Sequence, residues 1–249
     1  MPPTDDLSVL TRAARAPDEV LAYGPHPDHV ADVRFGSKGA AEKPLVLIVH
    51  GGFWRPRYDR THTGPMAEAI ADAGWTVASI EYRRSPGEPD HTLNDVSDAL
   101  ERVPSQVSRH NGTVVLIGHS AGGHLVLWLA AARHTPQLIG TLALAPAADL
   151  QLAHDLNLGD GAVVAFLGTE PKVRVDADPR RLPSPATATT VIHGERDVVV
   201  RPSVAESYVA AHPGVRFVRL PGVGHFAPID PLSAAWTTTM DELRALARG

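Results

Sequence analysis

Three residues of this chain, Ser120, Asp197 and His225, have the chemistry needed for acyl transfer. A serine hydroxyl is a poor nucleophile at neutral pH, so it needs a base within hydrogen-bond reach. Neutral imidazole serves, because its ordinary pKa is ~6.5. A carboxylate can then hold the imidazole in the useful tautomer and stabilise the imidazolium that forms. Donors aimed at the developing oxyanion commonly contribute ~10²–10³ in rate each. Together these groups would attack a carbonyl, form an acyl-serine, and release it to water.

Each residue sits where local structure could present it. Ser120 lies in Gly118-His119-Ser120-Ala121-Gly122, after the apolar run Thr113–Ile117 and before the helix-prone Leu125–Ala131. That context predicts a strand, a sharp turn and a helix, with glycines where a Cβ would strike a neighbouring element. Upstream, Leu45–Val49 runs into His50-Gly51-Gly52-Phe53-Trp54, a buried strand ending in glycines that let backbone amides approach substrate. The expected oxyanion donors are the amides of Gly52 or Phe53, with Ala121 just after the nucleophile. Downstream, Thr190–His193 leads through Gly194 and Glu195 to Asp197, and Val215–Leu220 leads to a loop carrying His225. Both read as strands that deliver a polar residue at their ends.

Other polar residues compete for these roles. Glu195, two positions before Asp197, is the nearest substitute acid, though the spacing after the His-Gly turn favours Asp197. Asp230 reads as the cap of the last helix, with Pro231 at its first position. His50 reads as ordering the glycine loop rather than acting as a base. His119 and His124 stand five apart, so they do not share a helical face, and no carboxylate cluster accompanies them; a metal site is not expected. His26 and His29 are expected on the surface.

With the glycine loop, the elbow and the acid and histidine turns in place, the chain resembles the α/β-hydrolase superfamily over most of its length. The order Ser120, Asp197, His225 agrees with that superfamily rather than with chymotrypsin-like or subtilisin-like proteases. His50-Gly51-Gly52-Phe53-Trp54 and Gly118–His124 look most like kynurenine formamidases (arylformamidases) and related small carboxylesterases. Relatives of that kind usually carry tyrosine where Phe53 stands. The resemblance implies an α/β-hydrolase fold and a serine esterase or arylformamidase activity. No metal or organic cofactor is expected, since the chain has no cysteine and no ligand-spaced histidine cluster.

The elements that must position these residues alternate along the chain, which predicts an α/β fold: a mostly parallel central sheet with helices on both faces. Predicted strands include Val30–Phe35, Trp75–Ile80 and Ile139–Ala143. Predicted helices run from Thr63 to Ala73, from a Thr92-Leu93-Asn94-Asp95 capping box to about Val107, and from Asp230 to about Ala247. The 249 residues, 43% of them hydrophobic, suit one domain with a large core. Residues from about 150 to 188 break the alternation, with one helix-like patch at Gly161–Leu167 among proline turns. They read either as a small cap or as a plain crossover with long loops.

Composition narrows the function. The chain has no cysteine, which removes disulfides, thiolate metal sites and a cysteine nucleophile. A net charge of −5 argues against nucleic acid as partner. No window is apolar enough to span a membrane, and Met1–Asp6 carries acids where a signal peptide has basic residues, so the expected location is cytoplasmic. The chain has only four Trp, four Tyr and five Phe, yet Phe53, Trp54 and Tyr58 cluster directly after the glycine loop. Phe53 and Tyr58 are expected to wall a small-molecule ester or amide substrate. Trp54 reads as a wall residue or, more readily, as packing that holds the loop. A peptidase or acyl-peptide hydrolase and a non-catalytic binding protein of the same fold are the alternatives. Oligomeric state, including a homodimer, stays open.

Overall fold

The computed structural model describes residues 7–37 and 39–248. The acidic start Met1–Asp6, read above as unlike a signal peptide, lies outside the described residues.

Among the described residues, eight strands form one open sheet: β1 (Glu19–Ala22), β2 (Val30–Arg34), β3 (Leu45–Val49), β4 (Val77–Ile80), β5 (Val114–His119), β6 (Leu138–Leu144), β7 (Ala188–Gly194) and β8 (Arg216–Leu220). Their spatial order is β1-β2-β4-β3-β5-β6-β7-β8. β2 runs antiparallel to β1 and β4, and every pairing from β4 to β8 is parallel. Every residue of β3 and β5 is buried. Strands covered on both faces have no reason to alternate, which is why these segments read as unbroken apolar runs.

Helices cover both faces. α1 (Gly64–Asp72) and α7 (Trp236–Leu246) pack with Val46, Ile48, Val115 and Ile117 on one side. α2 (Pro89–Gln106), α3 (Ala121–Ala132) and α6 (Pro202–Ala211) pack with Leu45, Leu47, Val114 and Leu116 on the other. The alternation of partners along β3 and β5 follows from the two-residue repeat of a strand. On α2, buried Leu93, Val96, Leu100 and Val103 recur at helical spacing and form the face turned to the sheet. Between β6 and β7 lie α4 (Leu150–Asp155), α5 (Ala162–Leu167) and three 3-10 turns at Pro171–Val173, Val175–Ala177 and Pro179–Arg181. No described helix is long and apolar enough to cross a membrane.

Several local expectations are corrected. The helix expected to open at a Thr92 capping box begins at Pro89, and Thr92 Oγ1 instead donates to the Arg83 carbonyl at 2.6 Å. Proline at the first turn starts the helix without a side-chain cap, since its missing N–H is one of the unbonded four. The last helix begins at Trp236, because Asp230 spends its carboxylate on the Leu232 amide and on Arg12. β1 was not foreseen; it is an edge strand with one buried residue, Leu21, and so carries almost no apolar pattern.

Candidate active site

The sheet directions bring the candidate residues to one edge. β3, β5, β7 and β8 are parallel, so the loops after their C-terminal ends, which carry Gly52 and Phe53, Ser120, Asp197 and His225, all emerge on the same side. Ser120 is the residue between β5 and α3, with φ 57° and ψ −117°. Such a conformation costs a non-glycine residue ~1–3 kcal/mol and is kept only where the surroundings enforce it. Here they do. A Cβ on Gly118 would lie 2.2 Å from the Gly122 carbonyl, and one on Gly122 would lie 2.1 Å from the Val49 carbonyl. The two glycines let strand, turn and helix close on one another, and the turn pushes Ser120 out toward the loop after β3. Gly51 approaches so closely that its Cβ position is 3.0 Å from Ser120 Cβ.

Asp197 and His225 meet directly. His225 Nδ1 lies 2.6 Å from Asp197 Oδ2, and both side chains are buried. The other carboxylate oxygen accepts from the Val199 and Val200 amides at 2.9 and 2.8 Å. Burial by itself would raise the Asp197 carboxyl, but His225 and His193 outweigh it and hold it well below the usual carboxylate range. Backbone bonds fix the meeting: the Glu195 amide donates to the Leu220 carbonyl at 3.0 Å, and Arg196 donates to Val223 at 2.9 Å. Gly194 must be glycine for this crossing, since a Cβ there would stand 2.4 Å from the Val223 carbonyl. Glu195 is exposed, and the described residues pair His225 with Asp197 instead. No hydrogen bond joins Ser120 Oγ to His225 among the described residues, and such bonds often tighten only when substrate is bound.

The loop after β3 turns through three positive φ values, at Gly52, Phe53 and Trp54. Arg55 N–H closes it on the Gly52 carbonyl at 3.0 Å. His50 underlies it, as expected of an ordering residue: Nδ1 stands 2.8 Å from the Gly51 carbonyl and Nε2 2.9 Å from Glu81 Oε1. His119 Nε2 donates to the His225 carbonyl at 3.0 Å, and its buried ring is held neutral, well below the ordinary histidine range, by loss of solvent and by the nearby His225. His124 donates to the Ala177 carbonyl at 2.8 Å, and burial pushes it down to about 4. His26 is exposed as expected, but His29 is not: it is buried against Asp95, 2.9 Å away.

The aromatic trio divides. Trp54 is buried, stacks on Phe166 at 4.7 Å and meets His124 edge-on, so it ties the loop to α5. Phe53 is half-buried against Gly159, and Arg55 Nη2 donates to the Gly159 carbonyl, so the segment 150–188 is clasped onto the loop. Tyr58 is also half-buried, packed beside Gly52.

Sequence reasoning missed Glu81 and Tyr82. Buried Glu81 accepts from the Arg60 and Tyr82 amides at 3.0 Å each and pairs with Arg84, and Tyr82 Oη donates to the His50 carbonyl at 2.8 Å. The available signal was position: they directly follow β4, a fully buried strand ending on the same edge as the other candidates.

Known proteins carry the same frame. The chain is 27% identical to esterase LipC of Mycobacterium tuberculosis, over 82% of this chain and 58% of that protein. It is 29% identical to kynurenine formamidase of Danio rerio, over 57% of this chain and 50% of that protein. It thus spans about half the length of these relatives. Esterase B from Lactobacillus rhamnosis, inhibited by a tributyrin phosphonate, superposes with a TM-score of 0.78 at 18% identity, covering 94% of this chain and 88% of that one. A truncated carbohydrate esterase from gut microbiota gives 0.78 at 16% identity, covering 94% and 100%. The fold is that of the α/β-hydrolases. A sequence model of the BD-FAE family matches residues 31–157, a span that holds the glycine loop and the Ser120 elbow, and on that match the chain belongs to the BD-FAE family.

Proposed function

We propose that this protein is a serine hydrolase of small carboxylic esters, with Ser120 as nucleophile, His225 as base and Asp197 as the acid that orients it. The observation that carries the reading is the 2.6 Å contact between His225 and Asp197 on the edge where the strained Ser120 turn emerges. Ser120 Oγ attacks the ester carbonyl carbon while its proton passes to His225 Nε2. The carbonyl oxygen becomes an oxyanion facing the amides of Gly52 or Phe53 and of Ala121. Collapse breaks the bond to the alcohol, which leaves with the proton from His225. Water then repeats the sequence on the acyl-serine, and the carboxylic acid departs.

Small substrates suit the site. Ser120 and His225 are only 3% and 1% exposed, and residues 150–188 serve as a small cap held to the glycine loop at Gly159. Phe53 and Tyr58, half-buried on that loop, are the wall residues, while Trp54 supports the loop from beneath. One domain acting on soluble substrates in the cytoplasm, without metal or organic cofactor, is part of the same reading. An aryl formamide is the second substrate class, favoured by the likeness to a kynurenine formamidase. Purified protein should react with a fluorophosphonate probe at Ser120, and S120A should stay unlabelled. A panel of p-nitrophenyl esters and N-formyl aromatic amines should then give a higher kcat/KM for formyl to butyryl groups than for C12 or longer. Labelling at another serine would remove Ser120 from its role, and preference for long acyl chains would remove the small-site reading.

A further inference from the structure

Asp197 has a second imidazole beside it. His193, on β7, is 1% exposed; its Nε2 lies 2.8 Å from the Val200 carbonyl and 3.1 Å from Asp197 Oδ2, the oxygen that also receives His225. Both neighbours of Nε2 are acceptors, so Nε2 carries the proton. Nδ1 is buried with no partner among the described residues, so the neutral ring, with a bare lone pair there, avoids stranding a donor. The Val200 unit is thereby held at both ends: its carbonyl accepts from His193, and its amide donates to Asp197 Oδ1 at 2.8 Å. His193 closes the turn that aims the carboxylate and places N–H polarity on the oxygen shared with His225.

We propose that His193 is a positioning residue for the acid, which fixes the Asp197 turn and moderates the basicity of Oδ2 toward His225. The inference rests on the serine-hydrolase reading above. It makes a directional demand. With the His193 N–H removed, Oδ2 becomes the stronger acceptor for His225, the imidazolium is held more tightly, and more of the enzyme is in the inactive protonated form at a given pH. The other titratable groups nearby do not confuse this limb. His119, packed against His225 from the end of β5, is held neutral by burial, His62 is pushed down to about 4, Glu195 is exposed, and Arg219 and Glu206, which share the hollow beside His193, pair with each other at 2.9 Å.

The test is the pH profile of kcat/KM for a short p-nitrophenyl ester, measured on H193Q, H193N and H193L beside wild type and S120A. Glutamine places an amide N–H where Nε2 stood and should keep kcat and the acid limb close to wild type. Asparagine is too short to reach, and leucine has no donor. Each should lose kcat by roughly 10-fold or more, since the N–H that ties Val200 and stands 3.1 Å from the buried carboxylate is removed. KM should be little changed and the acid limb should move to higher pH. Should H193L fail to fold, as judged by circular dichroism, the contrast between glutamine and asparagine decides. A glutamine variant as slow as the asparagine variant, or an unmoved acid limb in the slow variants, overturns the role of His193. S120A separates the two readings: with S120A inactive such a result condemns His193 alone, whereas an active S120A takes the hydrolase reading and this inference down together.

Discussion

Tyr82 Oη donates to the carbonyl of His50 at 2.8 Å, and the two rings stack at 4.4 Å, so the end of β4 supports the first residue of the glycine loop from below. Both residues are fully buried. Y82F leaves the ring in place and strands a buried carbonyl, which costs about 1–3 kcal/mol. Urea unfolding should show that loss. With the loop amides serving the oxyanion as proposed, kcat should fall more than KM rises. A kcat equal to wild type in folded Y82F would separate the Tyr82 support from catalysis.

Asp197 should reveal itself through the way its asparagine variant fails. The Val199 and Val200 amides hold Oδ1, so the amide oxygen of D197N takes that place and its NH2 turns to His225. That forces Nδ1 to accept and puts the proton on Nε2, where it blocks the base. The expected loss is about 10⁴-fold in kcat with the fold intact. E195Q, altering an exposed side chain, should stay near wild type. A larger loss in E195Q than in D197N would mean that Asp197 is the wrong acid.

The strain at Ser120 predicts a stability difference between two variants that lack the hydroxyl. Alanine inherits φ 57°, whereas glycine adopts it freely. S120G should therefore be more stable than S120A by roughly 1 kcal/mol in denaturant unfolding. Equal midpoints at equal slopes would show that the turn relaxes.

Acid should weaken the fold through buried His124 at pH values above the ordinary carboxylate range. The folded-state pKa of His124 is pushed down to about 4 by burial, below its unfolded value of 6.5, so the unfolded chain binds the extra proton between those values. Stability is full above pH 6.5 and falls as pH drops toward 4. Asp178 works the other way: burial raises it to about 6, so its contribution is fully present below pH 3.8 and is lost as pH rises through 6. Thermal melts from pH 7 to 4 should show a shallower decline for H124N and a steeper one for D178N. An H124N slope equal to wild type would exclude His124 as a source of acid sensitivity.

Phe53 and Trp54, adjacent in sequence, should respond differently to truncation. W54A removes a buried ring stacked on Phe166 and should cost about 3–5 kcal/mol in urea unfolding. F53A should leave stability near wild type and raise KM for aryl esters more than for alkyl esters. If both variants altered only stability, neither ring would belong to the substrate wall.

The sequence by itself determined the fold class and the order of the candidate residues. Unbroken apolar runs before Gly118 and His50 read as strands buried on both faces, and the glycines around Ser120 answer contacts too close for a Cβ. Such signals are local, so they survive in a single chain. The tertiary structure decided what depends on pairing across the sheet. It set Asp197, which the spacing already favoured over Glu195, against His225, through the crossing of the β8 loop over Gly194. It buried His29 on Asp95, moved the last helix start from Asp230 to Trp236, and placed Glu81 and Tyr82 beneath the glycine loop. It set His193 beside the acid as well. A polar residue advertises its chemistry in sequence but not its partner, since the partner is chosen by contacts between segments far apart in the chain.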